Sequence, residues 1–387
     1  MLPGGAGAPE VVRPATTAEV AATLRDRPGA VLVRGTATKL AWGGEPRAVD
    51  LVVDTTALAG VVEHVAGDLV VTVRAGTTLE ALDAAVAPFG QRLAADPVVG
   101  PGAAGRGTVG GLVATAATGP LRLSVGAVRD LLIGAEVVRA DGVVARAGGK
   151  VVKNVAGYDL CKLLTGSWGT LAVLTAATFR LHPRPAATRW VLVPELPTGA
   201  VVGAIGALRR SQLAPAAVEV DWAGGHGRLA VLIEGTEEGA GARADAAAAL
   251  AGGRPAPAAP PWWGRPPWPA GGTGLRVTFG LSGLAPLLDA VDATGLPWAV
   301  RGSAAVGVVH AGVGPDHEPA AVAAAVVAVR AAAARAGGQV VVLDAPAPVR
   351  AEVDVWGPAD GLAVMRRVKA AFDPGGRLAP GRFVGGI

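Results

Sequence analysis

The chain has 387 residues, 51% of them apolar and 17% charged. That is enough to bury cores in two or three domains, and it excludes a disordered tail, a fibre or a coiled coil. The net charge of +4 comes with no dense basic run interleaved with aromatics, which argues against nucleic acid, and the single Cys161 excludes a disulfide framework and any multi-cysteine zinc or iron–sulfur centre.

In chain order, residues 10–60 read β-α-β. Thr16 to Glu19 is a T-x-x-E capping box that opens a helix to about Arg25, and Pro28-Gly29 ends it. Strands follow at 30–34 and 49–54. Residues 69–74 alternate as a strand, and Thr77 to Glu80 is a second capping box opening a helix to about Val86. A long Gly/Pro/Ala loop covers 97–111. Residues 132–139 and 143–146 form a hairpin about Asp141-Gly142, a short helix covers 160–164, and a strand runs over 171–181. Cys161 then lies buried in that short helix.

After Pro185 the grammar changes. Segments 189–193, 198–210, 217–222, 228–234 and 240–251 read β-α-β-β-α. Segments 275–279, 284–294, 298–301, 305–309, 319–336 and 339–343 read β-α-β-β-α-β. Two copies of a split β-α-β unit would form one antiparallel sheet with helices on one face. Between them, 252–274 is a Pro/Gly stretch with Trp262, Trp263 and Trp268: either a stiff connector with its tryptophans packed against it, or a lid or docking patch. The fold class is therefore α+β. The expected domains are 1–185, a cap over 186–350, and a 351–387 segment that returns to the first domain.

Targeting signals are not evident. Met1 to Gly5 has no charged and apolar leader pattern, and the apolar run at 320–336 is interrupted by Arg330 and Arg335, as in a soluble helix. A cytoplasmic location is expected. The five histidines form no ligand cluster, so no metal site is expected.

Gly105 to Gly110 matches G-x-G-x-x-G with Asp130 twenty residues on, but no strand leads into it and no parallel β-α-β follows, so a dinucleotide fingerprint is rejected. The same residues suit an anion loop: Gly107, Gly110 and Gly111 permit close backbone approach, and Thr108 adds a hydroxyl. A second such loop is Arg34-Gly35-Thr36-Ala37-Thr38-Lys39, leaving a strand with small and hydroxyl residues between two cations. Two loops of this kind suit a cofactor held at a pyrophosphate from two sides.

The stretches 31–44, 100–120, 124–185 and 372–382 resemble the FAD-linked oxidase family, whose flavin domain is of the vanillyl-alcohol-oxidase/p-cresol-methylhydroxylase (PCMH) type. Within it they resemble the smaller FAD-binding subunits of glycolate oxidase complexes. Residues 151–174 are the most specific part of the likeness. The resemblance implies a two-subdomain PCMH-type FAD-binding domain with non-covalent FAD. It implies that Arg34 to Lys39 contact the pyrophosphate, and that Thr108, Val109, Gly110 and Gly111 wrap the pyrophosphate and ribityl region. Ala114 and Thr115 would approach the flavin, with Ser124 and Gly126 near the cofactor. Gly169, Thr170 and Val173 would present backbone groups. Thr38 stands where covalent members carry His, Thr36 and Ala37 stand where glycine is usual, and Ala379 replaces an Asn of the tail motif.

The implied function is the FAD-binding subunit of a 2-hydroxy-acid dehydrogenase complex, with a larger flavoprotein subunit and an iron–sulfur subunit as partners. The alternatives are a self-sufficient oxidase or dehydrogenase and a non-catalytic assembly subunit. Membrane association, if any, would run through the partners. The chemistry needs a carboxylate clamp and a base. Arg301 and Arg382 are candidates for the first and His310 for the second. Tyr158 either borders the flavin or packs in the core, and Lys153 is a candidate neighbour of FAD phosphate.

Overall fold

The computed structural model describes residues 8–101, 103, 105–150 and 158–387. Three sheets and one two-stranded pair organise these residues. In the first, β1 (Glu10–Val12) and β2 (Val31–Arg34) flank β3 (Leu51–Asp54), all parallel, with α1 (Thr17–Asp26) as the crossover. The Thr16 hydroxyl accepts from the Glu19 amide, as the capping box requires, and Glu19 accepts from Ala15. Val20, Leu24, Val31, Leu51 and Val53 close the core of this layer.

The second sheet is antiparallel and contains β4 (Val61–Val65) and β5 (Val70–Arg74). After β5 the chain forms α2 (Leu79–Val86), a short β6 (Gln91–Arg92), and the helices α3 (Val109–Thr115), α4 (Arg122–Val125) and α5 (Val128–Leu131). The hairpin β7 (Leu132–Val138) and β8 (Val144–Gly148), then α6 (Leu160–Leu164), β9 (Val173–Arg180) and β10 (His182–Pro183) complete the half. The sheet order is β4-β5-β9-β7-β8, and β10 pairs with β6. The second capping box is displaced by one residue. Thr78 is the N-cap of α2, while Thr77 turns its hydroxyl to the Gly60 amide and Glu80 reaches Arg106. Cys161 is buried, and burial, with Asp159 adding to it, pushes its thiol up to about 11.

The third sheet carries the second half. Its first unit is β11 (Ala187–Pro197), α7 (Thr198–Arg210), β12 (Ala217–Ala223), β13 (His226–Gly235), α8 (Glu237–Ala251) and β14 (Arg254–Ala256). Its second is β15 (Thr273–Thr278), α9 (Leu284–Asp292), β16 (Ala299–Ser303), β17 (Val308–Val313), α10 (Pro319–Arg335) and β18 (Val340–Asp344). The strand order is β14-β11-β13-β12-β16-β17-β15-β18. Each unit is thus β-α-β-β-α-β in the order 4-1-3-2, and the two meet through β12 and β16. The duplicated split β-α-β pattern is the architecture. The first unit's fourth strand, β14, lies inside the stretch read from sequence as an insert. Pro255 hides it from a strand reading, yet an edge position tolerates a residue with no donor. All four long helices pack on one face; in α10, Val322, Val326 and Val329 supply the buried stripe.

The tryptophans of 252–274 are covered. Trp262 and Trp268 are buried, and Trp263 meets Trp190 edge-on at 4.6 Å. The tail forms α11 (Ala347–Glu352) and α12 (Leu362–Phe372), then lies along β2. There the Val31 amide donates to Arg377 O and the Ala379 amide to Val31 O. Ala379 sits at φ +43, a conformation in which Asn is at ease and Ala is strained. Asp373, fully enclosed, pairs with Lys369 Nζ at 2.6 Å.

Candidate functional site

β2 ends at Arg34 and delivers Gly35 to Lys39 to the mouth of a cleft of about 890 Å³, open mouth included. Thr108, Gly110 and Gly111 stand opposite. Ala114 and Thr115 of α3, Leu164 of α6, Ser167 to Gly169, Ala172 and Leu174 form the walls, and Arg382 comes in from the tail. The two glycine-bearing bends therefore face one another. They nearly touch: a Cβ added to Gly35 would stand 2.3 Å from Thr108 Oγ1.

The bends differ in what their backbones can offer. Among the described residues, the amides of Gly35, Thr36, Ala37, Thr38 and Lys39 donate to no protein acceptor. Ala37 holds φ +60, so the bend turns through the left-handed region without glycine, a strain of about 1–2 kcal/mol. Successive free amides in such a turn form an anion-binding concavity. In the opposite bend three amides are already engaged. Val109 donates to Thr77 O at 2.9 Å, Gly110 to Ala75 O at 2.7 Å and Gly111 to Thr108 Oγ1 at 3.2 Å. These three amides are engaged within the protein, and Gly110 is glycine because Ala75 O lies 3.1 Å from where its Cβ would be. This bend contributes shape. Gly107, at φ +96, keeps open the space beside Thr38 and Lys39, where a Cβ would come within 3.1 Å of Lys39 Nζ.

The electrostatics are one-sided. Arg34, Lys39 and Arg382 line the cleft, and among the described residues no acidic side chain lines it. Arg34 is committed: its Nε and Nη2 donate to Asp54 Oδ2 at 3.2 and 3.0 Å. Burial opposes ionisation of Asp54, but Thr56 and Arg34 outweigh it and hold the carboxyl below its usual range. Lys39 is 7% exposed, and its Nζ donates to Arg106 O at 2.8 Å. Burial brings its ammonium down to about 8, with Glu80 pulling the other way. Arg382 donates to Leu40 O and Trp42 O, and burial, reinforced by Arg350, brings it to about 10. Two buried cations that form no salt bridge among the described residues, beside five free amides, make a receptor for a small polyanion.

The remaining expected residues scatter. Gly169 (φ +74) faces open space at the cleft wall, next to Trp168 at φ +56. Thr170 is buried beneath, its hydroxyl on Ser167 O and its carbonyl accepting from Lys369. Val173 packs in the core under β3, outside the lining. Ser124 donates to Leu121 O, and Gly126 lines a separate cavity of about 190 Å³ with Asp96 and Arg122.

Three chemistry candidates do not reach the cleft. Arg301 is held on the cap sheet by Asp221 at 2.7 Å and by the carbonyls of Arg265 and Pro266, so it is not free to clamp a ligand there. His310 is buried in β17, where burial and then Arg276 lower it to about 4. Tyr158 is 96% exposed, which removes the core-packing reading and puts it outside the cleft lining. Lys153 lies outside the described residues. Sequence reasoning missed Leu164, Ser167 and Trp168; Thr165-Gly166-Ser167-Trp168-Gly169, within the most specific resembling stretch, was the available signal.

The FAD binding domain family matches residues 8–148, and the family of FAD linked oxidases, C-terminal domain, matches 308–383. The second match begins well before the tail motif at 372, so the likeness includes β17, α10 and β18. Glycolate oxidase subunit GlcE of Escherichia coli is 42% identical over 129 residues, 33% of this chain and 36% of that one. D-lactate dehydrogenase of Archaeoglobus fulgidus is 40% identical over 177 residues, 45% of this chain and 39% of that one. The chain thus spans little more than a third of the length of these curated relatives. An alkyldihydroxyacetonephosphate synthase structure superposes with a TM-score of 0.69 over 96% of this chain and 75% of its own, at 15% identity, which speaks for the fold alone.

Proposed function

We propose, from the premise that the chain belongs to the FAD-linked oxidase family, that it is the FAD-carrying subunit of a 2-hydroxy-acid dehydrogenase complex that hands electrons to an iron–sulfur partner. FAD is the cofactor. The carrying observation is the Lys39 ammonium, buried with no salt bridge among the described residues, beside the free amides of Gly35 to Lys39. A diphosphate, with two negative charges and only acceptor oxygens, is complementary to that arrangement.

When bound, FAD supplies the two-electron acceptor. The chain's own residues bind and orient it. The first bend donates amides to the diphosphate, and Lys39 neutralises it. Gly35 and Gly107 keep the approach open, while Leu164, Trp168 and Ala172 exclude water from the wall. Thr38 offers no imidazole for a covalent bond, so attachment is non-covalent. The similarity to a glycolate oxidase subunit and to a D-lactate dehydrogenase supports glycolate or D-lactate as the donor class. Among the described residues no helix is long and apolar enough to cross a membrane.

The likeness to D-lactate dehydrogenase also favours a second reading, a self-sufficient dehydrogenase. Anaerobic addition of glycolate or D-lactate to the purified holoprotein separates the two. Weak loss of flavin absorbance alone and strong loss with the partner subunits supports the first. Complete loss alone supports the second. No loss in either condition overturns both and leaves an assembly subunit.

A further inference from the structure

Residues 257–272, between β14 and β15, form a strap whose Pro257, Pro261, Arg265 and Pro269 stand in water while its tryptophans turn inward. Six prolines between 257 and 269 stiffen it. Trp262 lies over the guanidiniums of Arg228 and Arg301 at 5.8 and 5.9 Å. Trp263 packs, with Trp190, on a cluster that joins Leu121 of the first half to Ala217 and Leu232 of the cap. Trp268, 2% exposed, shares one buried cluster with Leu343 of β18 and with Leu164 and Trp168, which line the cleft. The strap thus runs along the seam between the cap sheet and the half that carries the cleft.

Trp268 has a seat shaped for it. Gly274 and Gly312 stand directly opposite one another on β15 and β17. A Cβ on Gly274 would overlap the Trp268 indole, and one on Gly312 would stand 2.6 Å from the Trp268 amide nitrogen. Neither glycine has a positive φ, so the indole, not the backbone, requires them bare. The attachment is nonetheless light. Among the described residues, the backbone of 257–272 bonds to the rest of the chain only where Arg301 donates to the carbonyls of Arg265 and Pro266. Seated, the Trp268 Nε1–H has no acceptor, and water would satisfy it on release. Gly271 at φ +76, followed by Gly272, gives the strap a swivel where it enters β15. A segment held by side-chain packing and so few backbone bonds opens well below the cost of global unfolding.

We propose that 257–272 is an inhibitory strap. Seated through Trp268 on the Gly274–Gly312 pair, it keeps small molecules, a 2-hydroxy acid among them, out of the seam between cap and cleft. Swung out about Gly271 and Gly272, it opens that way to the bound flavin. Placing flavin at the end of that way rests on the proposed function; the seat and the release of the strap do not.

The test takes two readouts on the holoprotein. Chymotrypsin, cutting after Trp262 or Trp263, reports release of the strap. Sulfite, which bleaches oxidised flavin by forming a sulfur–nitrogen bond on its ring, reports access. Gly274→Ala and Trp268→Ala are each expected to raise both rates about tenfold or more, with unchanged FAD content. Arg301→Gln, which frees only the two carbonyls, should raise them less. Should Gly274→Ala fail to fold, Trp268→Ala and Arg301→Gln carry the decision. Unchanged rates in the folded variants, or faster cutting without faster bleaching, overturns the proposal. Neither readout uses a 2-hydroxy acid or a partner. Both rising in a protein whose flavin no such acid reduces would retain the strap and discard the redox reading.

Discussion

Gly35 and Thr108 come from different sheets' connections, yet a methyl group on the first would stand 2.3 Å from the hydroxyl of the second and 2.7 Å from its Cγ2. Gly35→Ala must therefore part the two bends. FAD content on purification is expected to fall sharply. Thr108→Gly in the same chain removes the obstacle, and glycine at this N-cap costs only a few tenths of a kcal/mol, so the double variant should regain flavin. Equal loss in single and double variants would show that the bends do not act together.

Lys39→Met removes the buried cation while keeping the stem's packing. A charge-assisted hydrogen bond of about 1.5–3 kcal/mol is lost, so FAD affinity should drop about ten- to a hundredfold by flavin titration. In the apoprotein the Lys39 ammonium titrates at about 8, below its unfolded value of 10.5. Above pH 8 the folded apoprotein holds fewer protons than the unfolded chain, so its stability gains from rising pH between about 8 and 10.5. FAD, which favours the charged form, should bind more weakly over the same range. Neither trend should survive in Lys39→Met.

The cap's buried Glu219 carries a raised pKa of about 8, because burial outweighs its hydrogen bond from Ser303 and Asp96 adds repulsion; burial likewise raises Asp96 to about 7. Both folded values exceed the unfolded ones, so the native state holds extra protons. Stability is full below about pH 4 as far as these two groups go, and falls as pH rises to 8. Thermal melts should show a lower Tm at pH 8.5 than at pH 5.5, and Glu219→Gln should flatten part of that slope. A wild-type Tm independent of pH across this range would contradict the assignment.

Asp373 holds Lys369 at 2.6 Å and accepts from the amides of Arg377 and Leu378, locking the tail beside β2. Asp373→Ala strands a buried ammonium, and the expected loss is about 3–5 kcal/mol in denaturant unfolding. Because the same lysine donates to Thr170 O, next to Gly169 in the cleft wall, flavin content should fall as well. Loss of stability with full flavin retention would uncouple the tail from the cleft.

What was legible in the sequence was what local pattern encodes. Alternation and capping gave both β-α-β-β-α units of the cap, and clustered small residues gave the bend at Gly35 to Lys39. What escaped depends on who sits opposite. β14 was hidden by Pro255, β4 by its short exposed run, and the one-residue shift of the α2 cap by two adjacent threonines. That Val109 to Gly111 had already committed their amides, and that Arg301 had an aspartate, are facts of register, which no window of sequence contains.

Diphosphate recognition is tested most directly by titrating the apoprotein with FAD and with riboflavin, which shares the ring but lacks the diphosphate. If the Gly35 to Lys39 bend and its lysine hold the cofactor, FAD binds at least about a hundredfold tighter than riboflavin, and acid releases it intact. Equal affinity for the two would contradict that grip.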